Sequence, residues 1–409
     1  MSGPPAGEIG CLTCGLIQRL PLLERHQLAS CSRCGTPLAH FHGQSFSMLL
    51  ALTLTAITLS VPAMLEPLFI VNVYGRARAN VIFTGVASLW TGTLWPLALM
   101  VLSFAMLIPA VWLGALLIVL LCLTGSSRPL WLPYAFRTAE ALDQWAMPDV
   151  FMVGSVVAYT RLRALAATDV AAGGWCFFVF AMVVMALRIL IDREQIWSAI
   201  GGESQAPDDS DRLILACPAC ALALPEAFRS KPCPRCKAAV RERKPESFNQ
   251  ALAVLLAAYL LYVPANLLPV LKVVQLGGST DSTIVGGIRE LAEAGMWPLA
   301  IIVFTASIAI PILKLIGLAW CLNRTRQRSA SRLIERTLLY RIIDRIGRWS
   351  SIDVFVVSIL TALMQFGMLG TVRADAGAVA FGAVVVLTML ASRVFDSRIM
   401  WDAGGVEHE

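Results

Sequence analysis

Cys11-Leu12-Thr13-Cys14 and Cys31-Ser32-Arg33-Cys34 stand near the start of the chain. Cys217-Pro218-Ala219-Cys220 and Cys233-Pro234-Arg235-Cys236 repeat them half a chain later. Eight of the 11 cysteines sit in these four turns. A two-residue spacer lets both sulfurs of one turn meet one ion. Two such turns then supply four thiolates around Zn2+, with bonds of about 2.3 Å. Gly15 and Gly35 follow the second cysteines of the first copy, where the turn needs a residue tolerant of positive φ. Pro218 and Pro234 stiffen the second copy. Two zinc ions are expected, one per copy; four thiolates also hold a single iron, and dithiol redox chemistry is a further use. Four ligands close the shell, so zinc here is structural and not hydrolytic. Cys122, Cys176 and Cys321 lie in or beside apolar runs and read as small apolar residues.

Working outward, the chain turns strongly apolar. Of 409 residues, 57% are hydrophobic and 15% charged, with mean hydropathy +0.70. Soluble domains carry roughly 25% charged residues. No charge appears from Ala79 to Ser127. Runs near the roughly 20 residues needed to cross a bilayer recur throughout. Eight spans are read, at 46–70, 93–122, 149–169, 173–191, 248–270, 296–322, 353–371 and 376–394. Residues 1–45 are polar and show no cleavable leader, so the cysteines are expected on the reducing side of synthesis. Most of the 33 Lys and Arg fall on the side of both termini. The opposite loops carry only Arg76, Arg78, Arg161, Arg163, Lys272, Arg289 and Arg373. Positive charge marks the cytoplasm, so both termini and both knuckle regions are expected there. The pI of about 8.8 follows from this topology and calls for no nucleic acid.

The halves align at a fixed offset. Val61-Pro62-Ala63, Pro67, Trp95-Pro96 and Pro109 recur 202 residues on, as Val263-Pro264-Ala265, Pro269, Trp297-Pro298 and Pro311. Trp145, Asp149-Val-Phe and Trp197 recur 204 residues on, as Trp349, Asp353-Val-Phe and Trp401. The expected architecture is all-α and polytopic. Two tandem four-helix transmembrane bundles form a parallel pseudo-repeat, each preceded by a small zinc-ribbon or rubredoxin-like domain. The expected division is ribbon 1 at 1–45, bundle 1 at 46–200, a linker at 201–212, ribbon 2 at 213–245, bundle 2 at 246–402 and a tail at 403–409. Within bundle 2, residues 323–348 form a basic segment with a helical apolar face. It reads either as an ordinary positive-inside loop or as an element lying on anionic headgroups.

Charges inside spans are costly and tend to face a cavity or partner. Glu66 lies late in the first span between Pro62 and Pro67, Lys314 follows Pro311 in mid-span, and Arg161 and Arg163 interrupt the third span. None recurs in the other half: Glu66 aligns with Leu268, Lys314 with Trp112, and Arg161 with Gln365. Lys314 is the leading functional candidate. Glu66 is open between a functional role and snorkelling, while Arg161 and Arg163 read as snorkelling residues. Asp149 and Asp353 open their spans, where N-capping is the first expectation. Asn266, between Pro264 and Pro269, can satisfy carbonyls freed by the prolines or line a cavity. No phosphate-binding loop is present, and His26, His40, His42 and His408 all lie outside the spans. No enzyme is expected.

These motifs together resemble the paraquat-inducible protein A family (PqiA/LetA-like): four Cys-x-x-Cys turns, each pair before four spans, with Val-Pro-Ala-x-Leu-x-Pro, Trp-Pro and Asp-Val-Phe stretches. The resemblance implies a multi-pass protein of the bacterial inner membrane. It implies a role in loading or receiving phospholipids for a periplasmic MCE-domain tunnel protein, which carries them between inner and outer membranes and supports envelope integrity. A proton-coupled exporter of small amphiphiles and a metal- or redox-sensing scaffold are the competing readings.

Overall fold

Phe46–Leu65 is a 20-residue helix with no charge. Ser45 caps it by accepting from the Met48 N–H. It stops at Glu66 because Pro67 disfavours helical backbone in the residue before it. Ser247–Leu267 ends the same way, at Leu268 before Pro269. In the computed structural model, residues 7–21, 23–73, 76–90, 94–125, 128–163, 167–201, 213–275, 278–363 and 371–405 are described. Most of the expected linker, from 202 to 212, and the end of the tail with His408 lie outside the described residues.

Each half then follows one order of elements. A hairpin comes first, Phe69–Val73 with Arg76–Asn80 and Leu271–Gln275 with Gly278–Ser282. A third antiparallel strand, Ala167–Val170 or Thr371–Ala374, returns to pair with it. Between them run a short helix, Ile82–Trp90 or Ile284–Glu293, and a long one, Trp95–Thr124 or Trp297–Arg326. Each long helix widens into a π-turn, at Ser103–Leu107 or Thr305–Ala309, just before Pro109 or Pro311. Proline lacks the N–H and its ring crowds the preceding turn, so the bonding pattern shifts there.

Seven stretches among the described residues are long and apolar enough to cross a membrane. They are Phe46–Leu65, Trp95–Thr124, Ala172–Leu190, Ser247–Leu267, Trp297–Arg326, Leu333–Leu363 and Ala376–Val394. The expected third span differs: Pro148–Arg163 has 16 residues, about 24 Å of helix, and residues 167–170 are strand, not helix. Likewise the seventh ends in Ile352–Leu363; 364–370 lie outside the described residues and Thr371–Ala374 is strand. Within the basic segment only 327–332 form a non-helical turn. Leu333–Ile346 is helical and passes through a 3-10 turn, Gly347–Ser351, directly into Ile352–Leu363.

Within each half the first and last long helices pack closely. A Cβ at Gly173 would lie 2.4 Å from the Glu66 carbonyl oxygen, and one at Gly377 2.6 Å from that of Leu268. Only glycine permits that approach. The halves meet along Pro148–Arg163 and Ile352–Leu363. Gly154 lies against Phe355, and the Phe151 and Phe355 rings stack edge to face at 5.2 Å. Ile82–Trp90 crosses to the second half, with Gly85 facing Ser358. Its counterpart, Ile284–Glu293, stays beside Trp297–Phe304.

The cysteine domains dock crosswise. In the first, the Thr13 carbonyl accepts from Ser397 of the second half at 2.9 Å, and Arg33 lies 4.9 Å over the Trp401 ring. In the second, the Ala219 carbonyl accepts from Arg193 of the first half, and Arg235 donates to the Trp197 carbonyl at 2.9 Å. The two domains touch through Gly10 N–H to the Ala221 carbonyl at 2.8 Å. Thr13 and Ala219, Arg33 and Arg235, Ser397 and Arg193 are equivalent positions, so one contact is made twice.

Candidate functional site

The four turns form two sites. Cys11, Cys14, Cys31 and Cys34 are buried together, as are Cys217, Cys220, Cys233 and Cys236; within each group all sulfurs lie within 4.8 Å. The cross-turn Sγ pairs are 3.6 Å apart in the first site and 3.4 and 3.7 Å in the second. These exceed a disulfide of about 2.05 Å. They match the edge of a tetrahedron with bonds of about 2.3 Å, roughly 3.8 Å. Gly15 and Gly35 take φ of 83° and 66°, and their N–H groups turn back to the Cys11 and Cys31 carbonyls. In the second copy Ala221 and Lys237 adopt φ of 62° and 60° without glycine's freedom and make the same bonds. The residues fit a metal ion, and four thiolates leave no open position for a reacting group.

The polar residues of the spans sort differently from their sequence reading. Arg161 of the first half and Asp353 of the second line one cavity of about 50 Å3, with Ser282, Thr283, Val303 and Phe381. Arg161 Nε is buried and without a hydrogen-bond partner. The residue as a whole is half-buried, and Arg163 is exposed. Asp353 is not an N-cap: it stands second in its helix and contacts Ser307 Oγ. Ser307 sits in the π-turn before Pro311 and also reaches the Val303 carbonyl at 2.6 Å. Its single proton therefore faces two acceptors.

Asp149 is not an N-cap either. It is 1% exposed and lies 3.2 Å from Arg188 and 3.1 Å from Arg348 of the other half. Arg188 also holds Asp143 at 2.9 Å and lies 5.4 Å from the Trp112 ring centre. Lys314 is 1% exposed, and its Nζ donates to the Gly347 carbonyl at 3.1 Å, where the backbone breaks between two helices. Asp344 supplies the opposing charge. Lys314 is absent from the lining of the Arg161 cavity. Glu66 is exposed at a helix end, and Asn266 donates to the Tyr262 carbonyl on its own helix. Sequence reading missed Ser307, Arg188, Arg348 and Asp344. Their partners lie tens to hundreds of residues away, and no spacing signals them.

Comparison with known proteins gives the pattern a family. The description "Paraquat-inducible protein A" matches residues 46–201 and again 248–404. The chain belongs to the paraquat-inducible protein A family. It is 31% identical, over 97% of its length and 96% of the relative's, to the intermembrane transport protein PqiA of Escherichia coli. It is 30% identical to that organism's lipophilic envelope-spanning tunnel protein A, over 96% of this chain and 91% of the relative. A probable intermembrane transport protein of Haemophilus influenzae is 25% identical over 98% of this chain and 97% of its own. No solved structure matches. The chain is a multi-pass membrane protein of an envelope transport family with two buried four-cysteine groups.

Proposed function

We propose that this protein is the inner-membrane component of a lipid transport system. It loads or receives phospholipids for an MCE-domain partner spanning the periplasm. In this reading Pro148–Arg163 and Ile352–Leu363 are the central crossings, giving eight spans in two parallel bundles. Both ribbons carry zinc and face the cytoplasm, and the domain division follows the two repeats. The names of full-length relatives support transport between membranes.

The observation that carries the site is the cavity between Arg161 and Asp353. It joins opposite charges from different halves, and the Arg161 Nε has no bond of its own. A lipid phosphate can take that donor while Asp353 and Ser307 hold a headgroup ammonium or hydroxyl. Lys314, one turn past Pro311, ties the Gly347 break to the π-turn helix and so positions Asp353. Two closed shells of four thiolates leave the zinc no part in transport chemistry.

The test is copurification with an MCE-domain protein and native mass spectrometry for bound phospholipid. Lipid retention should fall in Arg161→Ala and Asp353→Ala while expression stays unchanged. Wild-type lipid retention and envelope barrier in both variants would sink the site. Flux of a small solute driven by a pH gradient, without the MCE partner, would favour an exporter instead.

A further inference from the structure

The arginines of residues 324–348 look like one basic run in sequence, but the structure gives them separate tasks. Arg336 is fully buried. It donates to the Ser329 carbonyl and to Thr325 Oγ1, each at 2.9 Å, and so fastens Leu333–Ile346 to the end of Trp297–Arg326. Arg348 joins Asp149 across the halves, and Arg341 reaches the Gly35 carbonyl of the first cysteine domain at 3.2 Å. Arg326, Arg328, Arg332 and Arg345 remain exposed. Arg332 has one weak ion pair, with exposed Glu335 at 3.5 Å.

Fastening by Arg336 fixes which face of the helix turns out. Leu333, Thr337 and Ile343 are buried, and Thr337 Oγ1 accepts from the Trp401 indole at 3.1 Å. Ile334, Leu338 and Ile342 are 61%, 51% and 38% exposed. A spacing of four puts these three in one stripe along the helix, and Arg345 follows Ile342 by three residues on the same face. An outward aliphatic stripe ringed by exposed arginines is costly in water. It suits the boundary between acyl chains and anionic headgroups.

We infer that Leu333–Ile346 is a binding surface for anionic phospholipids of the leaflet at its own end of the spans. Ile334, Leu338 and Ile342 enter the acyl boundary, and Arg326, Arg328, Arg332 and Arg345 take the phosphates. The equivalent helix of the first half, Leu132–Asp143, supplies an internal control. It presents Tyr134 outward and is preceded by exposed Leu130 and Trp131. Its one arginine, Arg137, lies 5.2 Å over the Tyr134 ring, and its Glu140 and Asp143 are taken by Arg193 and Arg188. The first half therefore rests on the interface through aromatic groups, with no demand for lipid charge. This inference is independent of the transport reading, because it concerns the outer face of one helix and not the cavity between the halves.

The test uses the full chain in nanodiscs of phosphatidylcholine with or without phosphatidylglycerol, read by hydrogen exchange of 333–346 and by native mass spectrometry of retained lipid. Protection of 333–346 should rise with phosphatidylglycerol and fall at high salt, while 132–143 stays unchanged. The variant R326Q/R328Q/R332Q/R345Q should lose the preference for phosphatidylglycerol by about tenfold or more. Its substitutions are on exposed side chains, so metal content and Tm should match wild type. Leu338→Glu should weaken protection in both nanodiscs. Equal protection with and without phosphatidylglycerol, or a preference that survives the fourfold variant, would overturn the inference. So would protection that appears only when an acidic cytosolic protein is added.

Discussion

The two halves share their order of helices, strands and π-turns, yet they treat the same aspartate oppositely. Asp149 is neutralised by Arg188 of its own half and Arg348 of the other. Asp353, 204 residues on, contacts a serine hydroxyl and faces Arg161 across a cavity. The buried cation of each half also stands in a different place. The first half places it on Arg188, over Trp112; the second places it on Lys314, at the position of Trp112. A cluster of ion pairs across the halves braces a scaffold, whereas opposite charges held apart across a cavity leave room for a ligand. Duplication supplied two copies of one frame, and divergence left the unsaturated chemistry in the second.

The largest effect should come from the crosswise metal sites. Metal binding to zinc-finger peptides is coupled to folding by about 10–16 kcal/mol. Cys31→Ser with Cys34→Ser should therefore unfold the first cysteine domain. Hydrogen exchange should then rise more around Trp401 of the second half than around Trp197 of the first. The reverse pattern, with loosening at Trp197, would break the crossed pairing. Elemental analysis of the purified chain should find two metal ions, and one in the double variant.

Next comes the contrast between the aspartates. Removing a partner of a buried ion pair costs about 3–5 kcal/mol, because the remaining charges are left uncompensated. Asp149→Ala should strand Arg188 and Arg348, and thermal unfolding in detergent should show a clear fall in Tm. Asp353→Ala should lower Tm less and abolish the envelope-barrier function proposed above. If Asp353→Ala destabilises as much as Asp149→Ala, the two clusters are both structural and the comparison fails.

A smaller effect concerns Asp192, outside the spans, where the first half meets the first cysteine domain. Its Oδ1 accepts from the Glu194 and Gln195 N–H groups, while Oδ2 is buried without a hydrogen bond. Burial pushes its carboxyl up to about 6, against the pull of those two N–H groups. A carboxyl raised in the folded state gives stability that is full below its unfolded value and lost as pH rises through the folded one. Asp192→Asn keeps the capping acceptor and removes the ionisation. The variant should therefore gain on wild type as pH rises from about 4 to about 6.5, by up to roughly 3 kcal/mol, and level off above that. The difference in Tm reads the gain. A constant difference across that window would show that ionisation plays no part. In the halves' shared packing, Gly173→Ala and Gly377→Ala should each lower Tm, because backbone carbonyls occupy the space of the new methyl group.

The cysteine turns, the apolar runs and the fixed offset made much of the frame legible, because metal ligation and membrane burial impose local spacing and composition. The family follows from those same motifs. The ends of the third and seventh expected spans differ from the structure: the apolar runs before them carry a hydropathy reading on into residues 167–169 and 371, which are strand although Asp169 and Arg373 stand in those strands. Their pairing to a hairpin far earlier in the chain decides otherwise. Arg161 and Asp353 are each visible as a charge, but their meeting is not. Arg161 aligns with an uncharged residue in the other half, and its partner is 192 residues away.

Sequence by itself determined what most segments are: metal-binding turn, apolar helix, proline-broken helix, basic segment with an apolar face. These properties rest on side-chain chemistry and on spacing within a few turns. Tertiary structure alone decided which segment meets which. It set the crosswise docking of the cysteine domains, the ion pair that locks Asp149 across the halves, the cavity that leaves Arg161 unsatisfied, and the face of Leu333–Ile346 that turns outward. Each depends on packing between residues far apart in the chain, where burial and charge compensation, not local spacing, choose the partner.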